Sequence, residues 1–181
     1  IEFGLLKKET PYKCKQITDG VSSDIWYVNN NNKEFCVKRA LSKLTVKEDW
    51  FAPVERNNYE AKYFSVCKKI LPAPFPKILG HDKKEFILAM EWFNSKSYIL
   101  WKKELLNKKL SISQAENIAK ILAKIHSIFY NKKKYEKIFT NDKTFFDIRI
   151  EPYIMFTSKY YPKYRSNFLD AANSLVMNKS T

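Results

Sequence analysis

The stretch that decides the fold runs Ile17-Thr18-Asp19-Gly20-Val21-Ser22-Ser23-Asp24-Ile25-Trp26-Tyr27-Val28 and continues, past Asn29 to Asn32, through Phe35-Cys36-Val37-Lys38. Trp26 and Val28 alternate with Ile25 and Tyr27, and Phe35 and Val37 with Cys36 and Lys38, a period of two that belongs to strands. The Asn run between them supplies turn chemistry, because Asn tolerates left-handed backbone angles. The stretch therefore reads as a tight polar turn, a strand, a short hairpin and a second strand that carries one lysine. Backbone N–H groups and hydroxyls of Gly20, Ser22 and Ser23 can meet phosphate oxygens, and Lys38 can place a point charge beside them. That combination is a candidate nucleotide site.

Working outward, residues 12–17 read as a preceding strand and residues 1–8 as a short leading helix. Residues 39–52 are a connector. Pro53 suits the first turn of a helix, where its missing N–H costs nothing, and that helix is predicted to run to about Lys69, ahead of Pro72, Pro74 and Pro76. Its apolar positions are Tyr59, Tyr63, Val66 and Ile70, flanked by Phe64, Cys67 and Leu71, and Glu60 falls inside the arc. A carboxylate facing a core needs a cation; Lys38 is the candidate. Glu55, in the first turn where a carboxylate is favoured anyway, is the alternative partner. Residues 76–80 and 85–90 read as two further strands around a polar turn at 81–84. Five short strands with one helix after the third are expected, then a polar-aromatic linker at 92–97.

The domain boundary is placed there, giving residues 1–93 and 94–181. The second of these segments reads as helix. Ser113-x-x-Glu116 is a capping-box pattern, with Ile118, Ala119, Leu122, Ile125, His126 and Phe129 behind it at helical spacing. Residues 130–139 read as a basic loop, 145–161 as an aromatic segment broken by Pro152, and 164–177 as a last amphipathic helix.

At 181 residues and 45% hydrophobic, the chain suffices for one domain, or a small domain with part of another. No apolar run reaches the ~18 residues of a membrane span. Ile1-Glu2-Phe3-Gly4 lacks a basic region ahead of an apolar one, so no secretion signal is read and a cytoplasmic location is expected. Cys14, Cys36 and Cys67 are far apart, and His81 and His126 add no metal-ligand spacing; reduced thiols are the plain reading. Only three glycines occur, each expected where the backbone needs it. The net charge of +14 invites a nucleic-acid partner, but 29 of the 33 basic residues are lysine, and they are scattered. Phosphate and base recognition leans on arginine forks, so this partner is set aside.

Five strands with one inserted helix, a linker and then helices resemble the protein-kinase-like fold of the aminoglycoside phosphotransferase and choline kinase superfamily. The residues that carry the resemblance are Asp19-Gly20-Val21-Ser22-Ser23-Asp24-Ile25-Trp26, Val37-Lys38-Arg39-Ala40-Leu41, Pro53-Val54-Glu55-Arg56-Asn57 with Tyr59-Glu60, and Leu88-Ala89-Met90-Glu91. The fold class it implies is α+β: a small lobe of a five-stranded antiparallel sheet plus one helix, followed by the first helices of a helical large lobe. By the same resemblance Lys38 binds the α- and β-phosphates of ATP, Glu60 pairs with it, and the turn from Gly20 to Ser23 covers the phosphates. Met90 to Phe93 becomes the adenine hinge, through the Glu91 carbonyl and the Phe93 amide. The partners implied are ATP and a small hydroxylated substrate.

The superfamily's chemistry also needs a catalytic Asp in a His-Gly-Asp-type loop, a nearby Asn and a later metal-binding Asp. No such pattern occurs here; the one His-Asp pair, His81-Asp82, precedes the hinge. The expectation is a phosphotransferase cut before its catalytic loop, inactive as it stands, with Mg ligands beyond its end and with uncovered large-lobe helices that self-associate into a homo-oligomer. A non-catalytic binding module is the alternative.

Plainer readings stand beside these. Ser22 and Ser23 are equally turn residues, Met90 and Trp92 plain core, and His126 a satisfied core histidine. Asp147, Arg149 and Glu151 read as a salt-bridged surface in preference to the wall of a substrate cleft.

Overall fold

The computed structural model describes residues 3–7, 9, 11–18, 20–30, 33–71, 75–160 and 163, with Ser158 by its backbone alone. The helix expected over 164–177 lies outside them, as do Asp19, Asn31, Asn32, Pro72 and Pro74. The chain divides into two compact units, Ile1–Leu41 with Val54–Phe139 and Ser42–Pro53 with Thr140–Thr181.

The first unit is built on a five-stranded sheet, wholly antiparallel, in the order β1-β2-β3-β5-β4. Its strands are β1 (Lys13–Ile17), β2 (Ser23–Asn29), β3 (Glu34–Ala40), β4 (Ile78–Asp82) and β5 (Ile87–Glu91). Helix α1 (Arg56–Ile70) follows β3 and packs against β3, β4 and β5. The α+β architecture expected from the sequence is present. At the hairpin between β2 and β3, the Asn30 side chain accepts from the Lys33 amide at 2.8 Å.

Helix α1 begins three residues after Pro53, because Val54 and Glu55 form a turn in which Asn57 N–H donates to the Val54 carbonyl. Its buried positions are Asn57, Ala61 and Cys67, not the tyrosine stripe read from the sequence. Small side chains let a helix approach a sheet closely, and Ala61 accordingly joins Cys36, Leu88 and Met90 in one core cluster, with Ile25, Phe64, Ile78 and Trp92 packed against it. Tyr63 points elsewhere, into an aromatic group with Phe75, Phe129 and Phe139 at centroid distances of 6.3–6.4 Å. That group fastens α1 to α3 (Ile112–Phe129) and α4 (Lys133–Phe139).

Several local expectations are corrected. Residues 3–7 form no helix; the Phe3 ring lies over Gly80, so close that a β-carbon there has no room. His81 and Asp82 remain in the β4 ladder opposite Leu88 and Ile87, and the turn moves to 83–86. Asp82 fixes that turn by accepting from the amides of Lys84 and Glu85 at 2.9 and 3.0 Å, which holds its carboxyl below the usual range. Helix α3 is capped by Ser111, which accepts from Gln114 N–H at 3.3 Å, two residues ahead of the cap expected at Ser113. Part of the expected basic loop is α4. Helix α3 has no buried residue, and Ile112, Ile121 and Leu122 are exposed. A short helix, α2 (Trp101–Leu106), precedes it.

In the second unit the connector folds back on itself: Lys43 and Phe51 form a β-bridge, Leu44 and Ala52 are buried, and Lys43 pairs with Asp49 at 2.6 Å. Trp50 Nε1–H donates to the Asp147 carbonyl at 2.9 Å and ties this loop to the later helices. These are α5 (Asp142–Phe145), a π-helix (Phe146–Met155) and α6 (Phe156–Tyr160). Pro152 sits inside the π-helix and does not end it: a proline removes a donor and crowds the preceding turn, and the wider winding accommodates both. Among the described residues no helix is long and apolar enough to cross a membrane.

His81 gives this fold a pH signature. Its Nε2 lies 2.8 Å from Asn58 Oδ1 on α1, and burial, then nearby Lys83, lower its pKa against the opposing pull of Asp82. A folded-state value below the ordinary 6.5 means that the unfolded chain takes up the proton first. This contribution to stability is complete above that pH and is lost as pH falls through the folded value. Melting curves taken from about pH 7.5 to about pH 5.5 are expected to fall more steeply for the natural chain than for His81→Gln. Parallel curves for the two proteins would remove His81 from the account.

Candidate nucleotide site

The period of two on β3 puts Cys36 and Lys38 on one face of the sheet. Cys36 packs into the core beside Ala61, and Lys38, one step further along, reaches the preceding residue of the same helix. Lys38 Nζ lies 2.8 Å from both carboxylate oxygens of Glu60. The two side chains retain 21% and 29% of their exposure, so the pair stands at the rim of the core with one side open to solvent. Glu55, the other candidate, is the exposed residue preceding α1, and its side chain makes no cap hydrogen bond.

The sheet-side core shapes the chemistry available here. Burial pushes the Cys36 thiol up, Lys38 opposes that and Glu60 reinforces it; the sulfur stays protonated and is no nucleophile. Burial likewise pushes Tyr63 up to about 12, and its hydrogen bond with Cys67 adds to the shift.

The polar turn leads into β2, where Ile25 lies opposite Lys38. Gly20 is exposed, Ser22 half-buried, and Ser23 buried as the first residue of β2. Gly20 has no left-handed φ, and a β-carbon added there would make only ordinary contact, 3.7 Å from Ile25 Cδ1. The backbone therefore does not require glycine at this position, contrary to the expectation from its rarity. Asp24, at the base of the turn, accepts from Gln16 Nε2 at 2.9 Å and from Trp26 Nε1 at 3.0 Å.

At the other end of the sheet, Met90 is buried in the core cluster and Glu91 closes β5. Glu91 N–H donates to the Lys77 carbonyl at 2.8 Å, and its carboxylate accepts from Lys77 N–H at 3.1 Å. Trp92 packs on Tyr27 at 4.9 Å between ring centroids, and Phe93 stacks on Tyr98 at 4.6 Å. Tyr27 itself donates to Glu34.

One residue quoted in the resemblance but given no role is prominent in the structure. Arg56, the first residue of α1, donates through Nη2 to the carbonyls of Ser22 and Leu41. Its sequence signal was slight: an arginine one helical turn before Glu60. Asp147 and Glu151 line a pocket of about 570 Å³ in the second unit, together with Glu48, Asp49, Trp50 and Tyr153. The Asp147 carboxylate is buried and paired with Lys143 at 2.6 Å, so it stands in the wall of this pocket and not on the salt-bridged surface expected of it.

A half-buried ion pair of this geometry contributes on the order of 1 kcal/mol. A double-mutant cycle with Lys38→Met and Glu60→Gln, read from denaturant unfolding, is expected to return a favourable coupling of about that size. Strict additivity of the two substitutions would mean that the side chains do not interact in solution.

No protein-family model matches the chain. Among curated proteins it is similar to methylthioribose kinases. It is 24% identical over 130 residues to that of Bacillus mycoides (strain KBAB4), covering 71% of this chain and 32% of the relative. It is 25% identical over 91 residues to that of Bacillus thuringiensis (strain Al Hakam), covering 50% and 23%. With that of Bacillus cereus (strain AH187) it shares 23% identity over 130 residues, covering 71% and 32%. In these matches the chain spans at most about a third of the relatives' length.

Proposed function

We propose that this chain is the ATP-binding portion of a small-molecule kinase, one that passes the γ-phosphoryl group of ATP to a hydroxyl of a small metabolite. The observation that carries the reading is the Lys38–Glu60 pair, held between β3 and α1 of a β1-β2-β3-β5-β4 sheet and entered by a polar turn. Similarity to methylthioribose kinases supports it and favours a sugar as the hydroxyl-bearing substrate. In this reading residues 1–93 are the nucleotide-binding lobe and 94–181 the start of the helical one.

The roles follow from charge and position. Lys38 neutralises the α- and β-phosphates, and Glu60 keeps its ammonium aimed. The backbone N–H groups of Gly20 to Ser23 and the Ser22 hydroxyl lie along the triphosphate, where exposed Gly20 allows the closest approach. The adenine edge meets the Glu91 carbonyl and the Phe93 amide. Phosphoryl transfer also calls for Mg²⁺ and a carboxylate base. Among the described residues no group of three or more His, Cys, Asp or Glu side chains could hold a metal ion, so no step through Mg²⁺ is assigned to them.

Calorimetry with a non-hydrolysable ATP analogue is expected to give at least about tenfold weaker binding for Lys38→Ala, the worth of one charge-assisted contact. Equal binding by the two proteins would remove the nucleotide site. Gly20→Ala offers a sharper discrimination, because the fold leaves room for the methyl group. Its melting temperature is expected to stay unchanged while analogue affinity drops; unchanged affinity would place the triphosphate away from this turn.

A further inference from the structure

We infer that Arg56 is a positioning residue that fixes helix α1, and with it Glu60, against the strand that carries Lys38. The inference deepens the nucleotide-site reading and rests on it for its functional meaning, though not for its geometry. Arg56 Nη2 donates to the Ser22 carbonyl at 2.5 Å and to the Leu41 carbonyl at 2.6 Å. The Ser22 carbonyl also accepts from Leu41 N–H at 3.2 Å, so the guanidinium sits where the polar turn and the end of β3 already meet.

The placement is costly, and the cost points to a purpose. A cation at the first residue of a helix faces the positive end of the helix dipole. Arg56 is also half-buried, and burial pulls its pKa down, with Glu60 and then Glu55 opposing. An apolar residue would avoid much of this. The Nη2 amino group carries two N–H bonds, one for each carbonyl.

The geometric consequence concerns rotation. Lys38 and Leu41 lie three residues apart along the chain, about 10 Å in extended backbone. Arg56 and Glu60 are four apart on α1, about 6 Å along its axis. The Lys38–Glu60 pair is one rung between these segments, and the Arg56–Leu41 bond is a second. Packing at Ala61 and Tyr63 holds the middle of the helix, and the Arg56 bond adds a fixed point at its first residue. The additional bond to Ser22 brings the polar turn into the same frame. Arg56 thus sets the distance between ammonium and carboxylate before any phosphate arrives.

The test reads Lys38 directly. Amine acetylation of the whole chain, quantified per lysine by mass spectrometry without nucleotide, reports how firmly Lys38 Nζ is held, since an amine engaged by both oxygens of Glu60 is shielded from the reagent. Arg56→Met is expected to raise Lys38 labelling about threefold to tenfold relative to the other lysines, the span that loosening one half-buried ion pair allows. Arg56→Lys keeps the charge but its nitrogen stops one bond short of Nη2; a smaller rise is expected, and this variant serves if Arg56→Met does not fold. Unchanged Lys38 labelling in a folded variant would overturn the inference, as would a uniform rise at every lysine, which is the mark of general loosening. A selective rise in labelling, with no binding of ATP analogue even by the natural chain, would uphold the positioning role and remove the nucleotide reading alone.

Discussion

The Lys38–Glu60 ion pair is the interaction on which the first unit's arrangement turns. An ammonium on the inner face of a sheet and a carboxylate on the inner side of a helix are each unfavourable alone, since neither finds water enough to stay charged cheaply. Together, with both oxygens 2.8 Å from the nitrogen, they form a contact that specifies how α1 sits on β3. The open side of the pair matters as much. At about a quarter of full exposure it is accessible to an anion, which a sealed pair would not be.

Packing makes this pair possible. Cys36 and Ala61 are small, and through them the helix comes close enough for side chains of ordinary length to meet. Leu88 and Met90 of β5 fill the space behind. The helix is then held from two more directions: by the aromatic group around Tyr63 on the α3 and α4 side, and by Arg56 at its first residue. The second unit is organised by its own contacts, with Trp50 reaching the Asp147 carbonyl across 97 positions of sequence.

Much of the architecture was legible in the chain because it depends on local periodicity. Alternation through Ile25–Val28 and Phe35–Lys38 marked the hairpin, and β2 and β3 lie where it placed them. The helix after Pro53 was found, while its buried face was not. The sequence favours Tyr59, Tyr63, Val66 and Ile70 as the large apolar set, but proximity to the sheet selected Asn57, Ala61 and Cys67. A similar displacement occurred at α3, where two serine-led patterns stand two residues apart and only one can place its hydroxyl on the third amide. Proline misled at 152, since its usual effect presumes an α-helix and the chain there winds as a π-helix.

By itself, then, the sequence determined the five strands, the helix after Pro53 and the presence of one lysine on β3. These depend on side-chain spacing along a single segment, which needs no knowledge of what lies opposite. Only the tertiary structure decided that Glu60 and not Glu55 meets Lys38, that Gly20 is spared any backbone requirement, and that Arg56 joins Ser22 to Leu41. Each of those depends on the distance between segments remote in sequence. Hydrophobic periodicity carries no term for such distances; close packing does.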